Sequence, residues 1–302
     1  MKRTLIIGNG FDIDAGLKTS YSSFAGSEYW PFKDEQPIQN FPTLAFQLNK
    51  NARLETWFDV EETMFSHACK KQTGLTLGGQ IIEKKDKEDF DTLKRQLSLY
   101  LGNEETNFKP NEKSVAMSLL RKIAPHEDQT TKNLCIYSFN YTNLDAIATC
   151  HGIYRNILCN NIHGSLQDNN IILGVGDKRD LRYDYFYMYK TSSPHFASHN
   201  IIPDMQDSDE VIIFGHSLGF NDYPYFMPFF SLQSSFNKFS KADRKKITFF
   251  TLNQESELQI KRHLRDLTGA ETTALYALND VKFYYTDGTK SSEIDTYIHS
   301  LI

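Results

Sequence analysis

The chain has 302 residues, enough to bury a full core in one large α/β domain with an insertion or in two smaller domains. Lys plus Arg number 33 against 38 Asp plus Glu, a net charge of −5, so no global basic excess draws the protein to nucleic acid or to an anionic membrane. No stretch of about 18 apolar residues and no signal-peptide pattern before Thr4 is present, which predicts a cytoplasmic protein, and Cys69, Cys135, Cys150 and Cys159 form no Cys-x-x-Cys pair, which argues against a zinc ribbon or a thioredoxin-type site.

The first predicted element is a strand over Thr4 to Ile7 that runs into Gly8-Asn9-Gly10-Phe11-Asp12. Two glycines bare the backbone where it turns, so amide groups can approach an anionic ligand at a helix N-terminus. A dinucleotide fingerprint would carry a third glycine three residues after the second, and Ile13 stands there. A phosphate loop and a tight strand-to-helix turn are both open readings.

Helical patterning follows for more than a hundred residues. Leu54, Trp57, Phe58, Met64, Phe65 and Ala68 fall at helical spacing; Phe90, Leu93, Leu97 and Leu101 form a second stripe behind the charged run Glu83 to Glu88, read as a solvated face; Val115, Leu119, Leu120 and Ile123 mark a third helix. Residues 21–130 are therefore expected to form a helical insertion after the first strand, leaving 1–20 and 131–302 as the main domain. From Leu134 the pattern becomes short apolar runs, at 134–139, 157–162, 171–173, 211–214, 247–252 and 281–285, with helices at about 143–149, 222–236, 255–267 and 291–301. Alternating strands and helices predict an α/β fold with a mainly parallel sheet covered on both faces.

Such sheets bind ligands beyond the carboxyl ends of their strands. Four predicted ends carry small or catalytic-type residues: Gly8-Asn9-Gly10, Asn140-Tyr141-Thr142, His163-Gly164-Ser165 and Gly215-His216-Ser217. Asn140 can hold a ribose hydroxyl or a water, or close the strand as an Asx-turn. His163 can serve as a general base, or as a structural hydrogen-bonding residue.

Residues 215–219, Gly-His-Ser-Leu-Gly, match the nucleophile-elbow pattern, with Asp280 or Asp287 and then His299 in hydrolase order. Phe220-Asn221-Asp222-Tyr223-Pro224 interrupt the helix such an elbow should enter, and no strong oxyanion loop precedes it. A metal-dependent phosphoesterase built on Asp12, Asp14, His163, Asp177, His216 and Asp222 lacks a compact ligand set, so no metal site is predicted.

Taken together, residues 5–12, Gly16 to Tyr21, Ser138-Phe139-Asn140-Tyr141-Thr142-Asn143, Ile162-His163-Gly164 and Ile213 to Gly219 resemble the AbiH family of bacterial phage abortive-infection proteins. That family is more distantly similar to sirtuin-like domains, which implies a Rossmann-like fold and an NAD pocket. The resemblance implies that Gly8, Asn9, Gly10, Phe11 and Asp12 line the cofactor loop, that Asn140 and His163 are catalytic, and that Gly215, His216 and Ser217 form a late loop near the adenosine. It implies NAD as substrate, cleaved at the nicotinamide–ribose bond. The four-cysteine zinc module of sirtuin-type deacylases is missing after the His-Gly pair, which undercuts deacylation.

An NADase that spares its host needs a gate. The helical block and the aromatic cluster Tyr183, Tyr185, Phe186, Tyr187 and Tyr189 are candidates for it, as a lid or as the interface of a homo-oligomer, answering to a phage-derived trigger. Two other functions stay open: a serine hydrolase acting through Ser217, and a non-catalytic sensor that binds a small nucleotide.

Overall fold

The computed structural model describes residues 1–37, 42–50, 57–69, 77–124, 133–155, 157–236 and 244–301. In chain order the elements are β1 (Arg3–Ile7), α1 (Asn9–Ala15), α2 (Tyr21–Ala25), α3 (Leu44–Lys50), α4 (Trp57–Ala68), α5 (Leu77–Asn107), α6 (Val115–Ile123), β2 (Leu134–Ser138), α7 (Leu144–Cys150) and β3 (Asn160–Asn161). After two short 3-10 turns at Tyr183–Met188 and Lys190–Ser192 come α8 (Ile201–Asp207), β4 (Glu210–Phe214), α9 (Tyr223–Gln233), β5 (Lys246–Thr251), α10 (Gln254–Leu267), α11 (Thr272–Leu278), β6 (Asp280–Tyr285) and α12 (Ser291–Ser300).

The chain divides into two compact units, one of Met1–Leu17, Phe108–Ile162 and Ala197–Ile302, the other of Lys18–Asn107 and His163–Phe196. The division differs from the expected 21–130 insertion. The helix α6 belongs with the sheet because its apolar face packs on α1 and α12, while 163–196 joins the helical unit. The expected boundary at 130/131 and the stripe residue Leu54 lie outside the described residues.

The first unit is a Rossmann-like sheet of six strands, all parallel, in the order β3-β2-β1-β4-β5-β6. That is the order of dinucleotide-binding doubly wound sheets. Alternation along the strands explains why both faces are covered. Leu5, Ile7, Ile136, Ile212, Phe214 and Phe250 point into one apolar cluster with α1, α6, α7 and α12. Ile6, Tyr137, Val211, Ile213, Ile247 and Phe249 point into the other with α8, α9, α10 and α11. The inner strands β1, β2, β4 and β5 are thus apolar on both sides, as buried parallel strands must be.

Two sequence expectations change here. The run 157–162 pairs only through Asn160 and Asn161, a short edge strand, and 171–173 is buried but forms no ladder. The helices α8 and α11 have no counterpart in the expected elements; Pro203 reads as a break in sequence but sits in the first turn of α8, where its missing N–H has no partner to lose.

In the second unit α5 carries the predicted stripe, with Phe90, Leu93, Leu97 and Leu101 all buried. The charged run is not a solvated face throughout, because Asp86 is 0% exposed. Its Oδ2 is 2.6 Å from His67 Nε2 and accepts the Tyr185 hydroxyl, and its Oδ1 accepts the Leu44 amide at 2.6 Å. Among the described residues no helix is long and apolar enough to cross a membrane.

Candidate functional site

The candidate site lies at the carboxyl ends of β1, β2 and β4, where the strand order reverses. Leaving β1, Gly8 caps α1 in extended conformation, and Asp12 falls in the first turn of that helix with its side chain buried. Leaving β2, the Ser138 hydroxyl accepts the Asn140 amide at 3.1 Å, which bends the chain back toward β1. Asn140 Nδ2 then donates to the Gly8 carbonyl at 3.0 Å and to Asp12 Oδ1 at 2.7 Å. The Thr142 hydroxyl donates to Asp12 Oδ2 at 2.7 Å.

Asp12 therefore anchors both residues of the Asn-x-Thr segment through charge-assisted bonds, which are stronger than neutral ones. Both hydrogens of the Asn140 side-chain amide are engaged, and its Oδ1 is the atom left to accept from a ligand hydroxyl. Asn161 Nδ2 fixes the Asn140 carbonyl from β3 at 3.0 Å. Cys159 lies close enough to feel Asp12: burial first, and that carboxylate second, push its thiol up to about 12, so it is protonated near neutral pH and no nucleophile.

Across the reversal point the glycines meet. Gly8 N–H donates to the Phe214 carbonyl at 2.9 Å and Gly10 N–H to the Gly215 carbonyl at 3.0 Å. A Cβ on Gly10 would stand 2.7 Å from Gly215 Cα, and one on Gly8 would stand 2.6 Å from His216 Cα. Gly215 has φ 64°, and a Cβ there would stand 2.4 Å from the Phe11 nitrogen. The glycines permit main chain to pack on main chain. The two amides expected to face a phosphate are bonded instead to the last residue of β4 and the residue after it.

His216 is buried and stacks edge-on against Phe139 at 4.3 Å. Its Nδ1 accepts the Leu218 amide at 3.0 Å, which places the proton of a neutral ring on Nε2, 3.4 Å from Asp222 Oδ2. Ser217 is exposed and makes no hydrogen bond to the described residues. Positive φ falls on Leu218, at 57°, and not on Ser217. A nucleophile elbow strains the serine itself and needs a basic nitrogen beside it. Asp280 opens β6 at the amino edge of the sheet, and α12 returns to that edge, where Tyr297 donates to Glu210 at the start of β4. His299 lies beyond Tyr297, so neither reaches Ser217. Asp287 follows β6, two strands away from β4, and accepts from Thr289.

His163 opens the second stretch of the second unit, buried, with its carbonyl accepting the Ile172 amide at 2.7 Å. Gly164 has φ 74°, and a Cβ there would stand 2.2 Å from the Asn170 carbonyl oxygen, so this glycine answers to the turn that follows. Asp14 caps α6, accepting Ser114 Oγ at 2.7 Å and the Ala116 amide at 2.8 Å, and Asp177 accepts the Thr191 hydroxyl. Among the described residues no group of three or more His, Cys, Asp or Glu is placed to hold a metal ion.

Two residues of interest escape the sequence. Thr142 sits inside the Asn-Tyr-Thr block, but only the fold shows it bonded to Asp12. His199 precedes α8, half-buried; burial lowers its pKa, against the raising effect of the bond its ring donates to the Ile162 carbonyl, just after β3. Nothing local marks it.

A search of curated proteins finds no match to the chain. A family model described as Bacteriophage abortive infection AbiH matches residues 4–244, which takes in β1, the Asp12–Asn140–Thr142 network and the whole 215–219 loop. With that span covering most of the sheet and the segments that begin at Gly8, Asn140, His163 and Gly215, the chain belongs to the AbiH family of phage abortive-infection proteins.

Proposed function

We propose that the chain hydrolyses NAD at the nicotinamide–ribose bond as the effector step of abortive infection. The observation that carries this reading is the Asp12–Asn140–Thr142 network beside β1, at the edge where a sheet of this strand order takes dinucleotides. Loss of nicotinamide builds positive charge on the ribose ring, so the protein has mainly to hold ribose, leaving base and water in line. Asn140 Oδ1 accepts from a ribose hydroxyl or from that water, with Asp12 as the positioning residue behind it. His163, as the resemblance to sirtuin-like domains implies, takes the proton. The segments 8–12 and 215–217 wall the nucleotide.

The main-chain closure of Gly10 on Gly215 supports a latent enzyme, since a pyrophosphate reaches those amides only when that contact opens. The same closure supports a second reading, in which the site binds a nucleotide as a sensor without turning it over. The geometry around Ser217 gives no support to a serine hydrolase.

Purified protein incubated with NAD, with and without extract of phage-infected cells, separates these readings. Free nicotinamide should appear in the activated sample and vanish in Asn140→Ala and His163→Ala. Stabilisation by NAD without product, in a sample shown to be activated, would favour the sensor; neither signal would overturn both.

A further inference from the structure

The aromatic segment at 183–189 has a place in the second unit that NAD cleavage does not use. Together with α5 it forms a half-open cavity of about 360 Å³. Phe90, Asp91 and Lys94 line it from α5, and Phe186, Tyr187 and Tyr189 from the aromatic turn. Its volume lies in the range of small-ligand pockets.

Three features of that lining point to a ligand. Phe186 is 58% exposed although it is among the largest apolar side chains of the unit, and its ring meets Tyr189 at 5.5 Å, so the two present an aromatic surface with a free face. Lys94 is half-buried and forms no ion pair or side-chain hydrogen bond among the described residues. Burial lowers its pKa, with Asp91 acting against that shift. The Tyr187 hydroxyl is buried with no hydrogen-bond partner among the described residues, while its ring is held edge-on to Phe90 at 5.4 Å. A buried donor without a partner is uncommon in a finished core.

We propose that this cavity binds a planar aromatic anion of mononucleotide size, its ring against Phe186 and Tyr189 and its anionic group on Lys94 Nζ. The rim carboxylate of Asp91 suits a ring bearing an exocyclic amine; it opposes any anion on Lys94, so a small inorganic anion, which lacks the ring contacts with Phe186 and Tyr189, should bind more weakly. A purine monophosphate offers a ring for Phe186 and Tyr189, an exocyclic amine for Asp91 and an anionic group for Lys94. Binding here is independent of NAD cleavage: none of the cavity's lining residues belongs to the segments assigned to the NAD site, and it needs no turnover.

The test uses the full chain and isothermal titration calorimetry with adenosine 5′-monophosphate, adenosine and inorganic phosphate as probes. The monophosphate should bind at least about tenfold more tightly than adenosine, the effect of one charge-assisted contact. Lys94→Met should remove that advantage and leave adenosine unchanged, whereas Phe186→Ala, at an exposed position, should weaken both the monophosphate and adenosine. Asn140→Ala should bind as the native chain does. Thermal unfolding of each variant shows that it is folded. No heat with the monophosphate at millimolar concentration, or native binding by both Lys94→Met and Phe186→Ala, would overturn the proposal, as would loss of binding in Asn140→Ala alone.

Discussion

The side-chain amide of Asn140 lies 2.7 Å from the carboxylate of Asp12, across a sequence gap of 128 residues. Two neighbouring strands are thereby joined at their carboxyl ends by side chains, beyond the last rung of the ladder, Ile7 opposite Ser138. Substituting Asn140→Asp would set a second carboxylate against the first. We expect Asn140→Asp to be less stable than Asn140→Ala in urea unfolding, and Asp12→Asn to cost about 1–3 kcal/mol through the Asn140 and Thr142 donors it weakens.

Gly215 and Gly152 both hold positive φ, at 64° and 73°, but only Gly215 has main chain against it; a methyl group on Gly152 would meet nothing within 4 Å. Gly152→Ala should therefore cost only backbone strain, about 1 kcal/mol. Gly215→Ala must also displace the first turn of α1, and its loss should exceed that of Gly152→Ala by several-fold in the same unfolding assay.

Asp86 is fully buried and takes hydrogen bonds from the Leu44 amide and the Tyr185 hydroxyl, with His67 on the same oxygen as Tyr185. Removing one member of such a group strands the others in a dry interior. Asp86→Ala should destabilise the chain by about 3–5 kcal/mol, and Tyr185→Phe by about 1–2 kcal/mol. Chemical denaturation monitored by circular dichroism gives both numbers; an Asp86→Ala loss below that of Tyr185→Phe would contradict the arrangement.

Burial raises the pKa of Asp14 above its ordinary 3.8, against the lowering effect of its bonds to Ser114 and to the α6 amides. A carboxyl whose folded pKa is raised binds its proton more tightly when folded, so its contribution is present below pH 3.8 and is lost as pH rises through the folded value. Asp14→Asn keeps an acceptor for Ser114 and Ala116 without the charge. Relative to the native chain, the variant should gain stability as pH is raised from below 3.8 toward neutral, and a flat difference across that window would contradict the assignment.

Ser217 is exposed and carries no structural bond to the described residues. Ser217→Ala should shift stability by less than about 0.5 kcal/mol and, on the proposed NAD cleavage, affect nucleotide binding at most and not turnover at saturating NAD. A fluorophosphonate probe should leave Ser217 unlabelled; stoichiometric labelling would revive the hydrolase.

The sheet was legible in the sequence because short apolar runs such as Val211 to Phe214, closed by glycine, suit a strand buried on both faces. Gly8, Asn140 and Gly215 were legible as strand ends for the same reason. What those residues do was not legible. Gly-x-Gly marks a tight approach of backbone, but sequence does not say whether a phosphate or Gly215 makes the approach, and here Gly215 does. The run 83–88 looked solvated because charge usually is; Asp86 is buried since His67 and Tyr185, distant in sequence, supply the partners that make burial tolerable. The helix α8 is short and holds Pro203 in its first turn, and a proline there and a proline that ends a helix look alike in a single sequence.

The hydrogen bond from Tyr185 to Asp86 spans 99 residues and so constrains the order of assembly. The chain leaves the sheet unit after Leu17, returns at Phe108, and leaves again after Ile162. During synthesis α5 emerges while the residue that completes its polar core is still unmade, and β2 and β3 must both be translated first. The helical unit is thus a late product of a protein whose first strand is made at once. Until residue 185 appears, Asp86 and His67 have one partner fewer, and a chain stalled before that point exposes them.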